Sequence, residues 1–346
     1  MSEVPGAGPV DTLVGMRALL LINPTATSTN RRTRDVLIRA LGAAVDLSVE
    51  ETGYRGHATI LAGAAREKGF DVIAVLGGDG TINEAVNGMI AGEHARPALI
   101  VLPGGSANVF ARALGLPNDP VEATGAVLEA IREGRRRTVN LGQAIWELGA
   151  LGEEAPGDVP EPAPGTAAPP NSRYFTFCAG LGYDAEVVRA VEGLRGAGYK
   201  ASPSRYINTA LRHYLMTDRR NPALRLERPH QAAVDGIFMT IICNTAPWTY
   251  AGSRPINPTP WAGFDTGLDM LGLRRMGALA MLRLLRQITG ERIGLPRGGH
   301  LVHVHDEEMF TLSARRPMAF QLDGDYLGER ERVTFRSVPG ALQVLV

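Results

Sequence analysis

Asp71 to Gly88 reads D-V-I-A-V-L-G-G-D-G-T-I-N-E-A-V-N-G. Val72 to Leu76 is a short, β-rich apolar run, and Gly77, Gly78, Asp79 and Gly80 behind it fit a buried strand ending in a tight loop. A helix is expected next. Thr81 and Glu84 have the spacing of a capping box, and Ile82, Ala85, Val86, Met89 and Ile90 recur on one helical face. Glycines let backbone N–H groups come close to an anion and a helix N-terminus adds partial positive charge, so the unit is suited to holding phosphates. Asp79 is electrostatically odd there. It needs a Mg²⁺, a hydroxyl or a positive side chain in front of it, which points to metal-assisted phosphoryl transfer; a Gly-rich turn with a solvated Asp is the plain alternative.

The flanking sequence repeats the pattern. Upstream, Arg17 to Ile22 reads as a strand, Asn23-Pro24-Thr25-Ala26-Thr27 as a loop, and Thr33 to Ala44 as a helix. A strand at Asp46 to Glu50, a turn at Thr52 to Gly56 and a helix at His57 to Lys68 follow. Downstream, the strand Ala98 to Leu102 runs into Pro103-Gly104-Gly105-Ser106-Ala107-Asn108 and another helix. Such alternation implies an open, Rossmann-like parallel sheet whose loops share one edge. Three polar loops on that edge make a nucleotide site. Val121 to Arg132 is a further helix, and Arg135-Arg136-Arg137 reads as a solvated charge run near a domain boundary.

From Thr138 the character changes. Thr138 to Leu148 and Tyr174 to Ala179 look like strands, separated by an acidic, Ala- and Pro-rich insertion at 149–171 that reads as flexible. A helix is expected over Ser204 to Met216, another over Leu279 to Ile288, and short strands elsewhere, among them Ala233 to Asn244, Met309 to Ala314, Met318 to Leu322, Arg332 to Phe335 and Leu342 to Leu345. These predict a C-terminal antiparallel β-sandwich. The expected division is a disordered leader at 1–15, an α/β nucleotide-binding domain at 16–137, to which strands near 330–346 can return, and a β-sandwich domain at 138–329.

The 36 basic and 36 acidic residues balance, which argues against general nucleic-acid binding. Cys178 and Cys243 sit in apolar runs and read as inert buried thiols of a reducing compartment. No apolar run reaches the ~18 residues of a membrane span, so membrane contact is expected to be peripheral. His303 and His305 lack a third ligand at zinc-like spacing and read as ordinary strand histidines.

With G-G-D-G-T-I-N-E-A-V-N-G at 77–88 and P-G-G-S-A-N-V-F-A-R-A-L-G-L-P at 103–117, the chain resembles the diacylglycerol kinase and sphingosine kinase superfamily, in particular its bacterial lipid kinases. Asn23-Pro24 sits at the family's first nucleotide loop. Gly180-Leu181-Gly182-Tyr183-Asp184 resembles G-x-G-F-D, Phe264-Asp265-Thr266-Gly267-Leu268-Asp269 resembles D-D-G-x-L-D, and Leu322-Asp323-Gly324-Asp325 resembles D-G-E. The resemblance implies ATP- and Mg²⁺-dependent phosphorylation of a lipid hydroxyl, most simply diacylglycerol to phosphatidic acid, by a cytoplasmic protein bound peripherally to the inner face of the plasma membrane. It leaves room for a homodimer. Asn23, Thr25, Thr27, Thr52, Gly77, Gly78, Gly80, Thr81, Asn83, Gly104, Gly105 and Ser106 would line the ATP. Asp325 would be the general base, Asp79, Asp184 and Asp323 would complete an acidic network orienting Mg²⁺–ATP, and Asp265 falls at a metal-binding aspartate.

Four features depart from the family pattern: no glycine in the first loop, Ser106 for threonine, D-G-D for D-G-E, and a D-T-G element one residue short. Two other readings remain. A kinase of a soluble substrate would share the G-G-D-G loop, as NAD kinases and phosphofructokinases do, but the serine- and threonine-rich motif of NAD kinases is missing. A non-catalytic nucleotide or lipid sensor would account for the altered metal motif. Without the upstream motifs, Asp323-Gly324-Asp325 reads as a hairpin turn.

Overall fold

The computed structural model describes residues 15–26, 30–92, 95–147, 171–196, 221–290 and 294–346. Nearly all of the leader and of the insertion, and the helix expected over Ser204 to Met216, lie outside the described residues. The chain packs as two units. One runs to Thr138 and takes back Gln343–Val346; the other is Val139–Leu342.

The first unit alternates strand and helix: β1 (Arg17–Ile22), α1 (Arg31–Gly42), β2 (Asp46–Glu51), α2 (His57–Glu67), β3 (Val72–Gly77), α3 (Asp79–Ile90), β4 (Ala98–Pro103), α4 (Val109–Ala113) and α5 (Pro120–Glu133). Strand order is β4-β3-β1-β2, all parallel. β3 and β4 are buried along their whole length, as their unbroken apolar sequences require, whereas β2 is an exposed edge. Asp119 caps α5 by accepting from Val121 N and Glu122 N, and Gly134 closes the helix in the left-handed region.

α3 departs from expectation at its start. It begins at Asp79 behind Gly78, two residues before the Thr81–Glu84 box. Those two side chains instead join neighbouring elements: Thr81 Oγ1 accepts from Asn23 Nδ2 at 3.0 Å, and Glu84 Oε2 accepts from Ala58 N at the start of α2. The arginine run is not simply solvated. Arg135 pairs with Glu133 and donates to Val346 O, while Arg136 and Arg137 open a strand.

The second unit contains β5 (Arg136–Trp146), β6 (Ser172–Phe175), β7 (Cys178–Gly182), α6 (Tyr183–Gly196), β8 (Leu224–Glu227), β9 (Val234–Ile237), β10 (Met239–Cys243), the small hairpin β11 (Thr249–Ala251) and β12 (Arg254–Ile256), β13 (Leu268–Leu273), α7 (Ala278–Ile288), β14 (Leu301–Glu307), β15 (Met309–Leu322) and β16 (Asp325–Leu345). One path runs β14-β13-β10-β7-β15, antiparallel throughout. The two strands expected at 309–314 and 318–322 are a single β15, irregular between Ser313 and Met318. Before that irregularity β15 pairs with β8, and after it with β7. Likewise 332–335 and 342–345 belong to one long β16, whose Val344 pairs in parallel with Leu99 inside the first unit. The strand expected over Tyr174 to Ala179 is divided into β6 and β7, and that over Ala233 to Asn244 into β9 and β10.

Inner faces of β5 to β10 and β13 to β16 share one core, in which Phe175, Phe310 and Phe320 pack around Phe335. A second core lies between β10, β13 and α7, centred on Ile241, Leu271, Leu284 and Ile288.

Candidate active site

In the first unit all four parallel strands send their loops from one edge, and hydrogen bonds tie those loops together. Asn23 Oδ1 accepts from Thr25 N at 2.9 Å and Thr25 Oγ1 at 2.7 Å, while its amide donates to Thr81 at the start of α3. Thr52 N donates to Ile22 O at 2.9 Å, joining the second loop to the first. Gly104 N donates to Gly77 O at 2.8 Å, and a Cβ on Gly105 would stand 2.7 Å from Gly78 Cα. The two glycine loops therefore touch backbone to backbone. Asn108 locks the second one, accepting from Gly105 N and donating to Gly105 O and Asn118 Oδ1. A Gly105→Ala variant is expected to push the loops apart and weaken ATP binding at least about tenfold, read by titration calorimetry; unchanged affinity would remove the loop contact from the site.

Asp79 has a partner that its charge alone does not suggest. Its carboxylate accepts from Val109 N and Phe110 N, both at 3.1 Å, and so caps α4, whose own cap residue Asn108 is left-handed and makes no side-chain cap bond. Gly80 and Thr81 follow in the first turn of α3, part-exposed, and Ser106 is exposed on the adjoining loop. Asn83 is fully buried and receives a bond from Asn87, so it supports the loop from behind and does not line an open surface. Thr27 lies outside the described residues.

In the second unit Leu322 and Asp325 close a two-residue hairpin, with Asp323 at φ 48° and Gly324 at φ 82°. Both values are left-handed, as a type I′ turn requires, and Asn, Asp and Gly tolerate them best. Asp323 is buried. Its Oδ2 accepts from Thr176 N at 2.7 Å and Thr176 Oγ1 at 2.8 Å, and its Oδ1 from Phe177 N and Cys178 N, each at 3.0 Å. Burial raises its pKa against the pull of these donors. Asp184, in the first turn of α6, is also buried and accepts from Gln321 Nε2 at 2.9 Å; Gln321 Oε1 in turn accepts from Gly324 N. Gly180 leaves room for that carboxylate, since a Cβ there would stand 2.2 Å from Asp184 Oδ2. The Gly-Leu-Gly-Tyr-Asp and Asp-Gly-Asp motifs thus form one scaffold. Both oxygens of Asp323 and Oδ2 of Asp184 are engaged in that scaffold, which differs from the Mg²⁺-orienting role expected of these two acids.

Asp325 differs from both. Its Oδ2 lies 3.2 Å from an Arg173 guanidinium nitrogen, and the two side chains keep 19% and 18% exposure. It is the part-exposed acid of the hairpin. Arg173 carries no sequence signal, since it stands 152 residues away in no recognisable motif; Gln321 and Thr176 are missed for the same reason.

The metal-site expectation at Asp265 is not met by the donors present. Asp265 is exposed, and the nearby Asp269 is buried and committed to His305 Nδ1 at 2.8 Å and Asp306 N at 3.0 Å. Among the described residues no group of three or more His, Cys, Asp or Glu side chains is arranged to hold a metal ion. His305 is thus a partner of Asp269.

Burial pushes the Asp184 carboxyl up to about 7, against the opposing effect of the Gln321 bond. Below about pH 4 the group is protonated in folded and unfolded chains alike and costs nothing. As the pH rises towards 7 the unfolded chain ionises first, so stability falls, by on the order of 4 kcal/mol once the folded group has ionised. Asp184→Asn keeps an acceptor for Gln321 and is expected to be more stable than the wild type at pH 8 and equal to it near pH 4. Urea unfolding at both pH values checks this; an equal difference at both would exclude the buried charge as its cause.

The first unit, then, is a parallel α/β domain whose glycine loops meet at one edge of the sheet. Residues 17–144 match the family model described as the diacylglycerol kinase catalytic domain. The diacylglycerol kinases of Staphylococcus aureus strains JH9 and Newman are each 40% identical over 129 residues, covering 37% of this chain and 39% of the relative. The chain thus spans about two fifths of the length of the curated relatives it matches. Among solved structures, that of a diacylglycerol kinase from Bacillus anthracis str. Sterne superposes with a TM-score of 0.66 at 19% identity, over 95% of this chain and 96% of that one. A second chain from that organism gives 0.69 at 20% identity, over 95% and 97%. The family match ends before Arg173, Asp184, Asp323 and Asp325; only the likeness of fold reaches them.

Proposed function

We propose that the protein transfers the γ-phosphoryl group of ATP to the hydroxyl of a lipid, most simply converting diacylglycerol to phosphatidic acid. The glycine loops behind β3 and β4, with Asn23, Thr25, Thr52 and Ser106, hold the nucleotide. Asp325 takes the proton from the lipid hydroxyl and leaves its oxygen free to attack. Mg²⁺ enters as part of the substrate Mg²⁺–ATP, neutralising phosphate charge, which is how this ion is commonly bound.

The observation that supports the reading best is the different fate of the three acids around the hairpin. Asp184 and Asp323 are buried and fix the turn, while Asp325 keeps exposure and is oriented by Arg173. Such a base sits on a rigid support, as general-base catalysis demands. In this reading the protein works peripherally at the inner face of the plasma membrane; no helix among the described residues is long and apolar enough to cross a membrane.

The test is transfer from labelled ATP into a total lipid extract with Mg²⁺ present, followed by identification of the product. Labelled phosphatidic acid is expected. Protein that binds Mg²⁺–ATP but labels no lipid hydroxyl, in vesicles or detergent, would overturn the proposal.

A further inference from the structure

Helix α7 presents a surface that the phosphotransfer reading does not use. One side is anchored, with Leu284 and Ile288 buried in the second core. The opposite side carries Leu279, Leu282 and Leu285, exposed to 84%, 58% and 48%. At 100° per residue these three fall on one arc of about 120°; Arg286 lies within it and Arg283 borders it about 40° beyond Leu279, both exposed. From Arg274 to Gly290 the chain has four arginines and no acidic residue. Singly exposed leucines are ordinary, but three aligned on one helix face among arginines are a docking surface.

We propose that this face of α7 docks on an anionic lipid bilayer, its leucines entering the acyl boundary and its arginines meeting the headgroup phosphates. The choice of partner rests on the lipid-hydroxyl reading above, and charge and shape support it separately. Two-fold pairing with a second copy would set arginine against arginine. An acidic protein would satisfy the guanidinium groups, yet it would have to bring its own apolar stripe for the leucines. A bilayer offers both chemistries to one helix: acyl chains for the leucines and negative charge for arginines whose stems bury alongside them.

The test is co-sedimentation of the intact protein with vesicles of equal parts phosphatidylglycerol and phosphatidylcholine, and with phosphatidylcholine alone. Binding is expected to the first, to weaken with salt, and to be slight to the second. Leu279→Gln, Leu282→Gln and Leu285→Gln combined, and separately Arg283→Gln with Arg286→Gln, should each weaken binding about tenfold. Both variants alter exposed side chains, and unchanged thermal unfolding is the check that they fold. Absence of wild-type binding, or wild-type binding by the leucine variant, overturns the proposal. So does a wild-type dimer in analytical ultracentrifugation that the leucine variant abolishes, since a second copy would then be the occupant. Activity separates the two claims: the variants should phosphorylate a water-soluble short-chain diacylglycerol normally and the vesicle-borne lipid poorly. Vesicle binding without any phosphotransfer would refute the kinase reading and leave the docking surface standing.

Discussion

Asp325→Ala is expected to lower lipid phosphorylation about a thousandfold, within the range for loss of a positioned general base, while ATP affinity and thermal unfolding stay near those of the wild type. The carboxylate stands at the first residue of β16, opposite Leu322, and removing it leaves the bonds of Asp323 and Asp184 in place. Under the proposed function, Arg173 is what lets an aspartate serve where the family pattern has glutamate. Its guanidinium holds Oδ2 at 3.2 Å and fixes the direction of the shorter arm, so the lost methylene is offset by lost freedom. Asp325→Glu should retain partial activity, limited by its fit to Arg173. Steady-state kinetics with Mg²⁺–ATP and dispersed diacylglycerol provide the measurement. Near-wild-type turnover in the alanine variant would remove the base from this hairpin. Asp79 would then be the next candidate, although both its oxygens are engaged at the start of α4.

What the sequence discloses here is what is local. β3 and β4 are legible because strands buried on both faces must be apolar throughout, and α5 because Asp119, Pro120 and Gly134 mark its ends within fifteen residues. The Thr81–Glu84 box misleads because its spacing is real but its partners are tertiary: Asn23 and the start of α2 outcompete the local cap. The charge of Asp79 suggests a metal for a similar reason. Nothing near it in sequence shows that Val109 and Phe110, 30 and 31 residues on, need an acceptor. In the second unit the Asp-Gly-Asp turn is visible, but its supports are 145 to 147 residues away, and the long β15 looks like two strands because its irregular middle interrupts the alternation. The family resemblance gives Asp325 the role of base and Asp184 and Asp323 a place in a metal-orienting network; in the fold Asp325 is part-exposed, whereas Asp184 and Asp323 are buried in the scaffold of the hairpin.

Asp323→Ala is expected to be the most destabilising single change in the hairpin, costing about 3 to 5 kcal/mol. The side chain accepts four bonds from the turn between β6 and β7, and its own N–H donates to Cys178 O at 2.8 Å. Alanine would leave three backbone N–H groups and the Thr176 hydroxyl without their acceptor in a buried place. It would also put a residue less tolerant of φ 48° at the first turn position. The loss is smaller than four separate unsatisfied donors would give, because a water can occupy the vacated volume and bond to some of them. Asp323→Asn keeps the turn preference and one acceptor oxygen, but turns an amide N–H₂ towards donors, so an intermediate loss is expected. For a unit of this size the alanine variant should melt about 10 °C lower, measured by calorimetry on the full chain. Activity should fall with it even below the melting point, because the same turn carries Asp325. A melting temperature within about 2 °C of the wild type would mean that the β6–β7 turn holds its shape without Asp323, and that the hairpin bearing Asp325 is positioned by Gln321 and strand pairing alone.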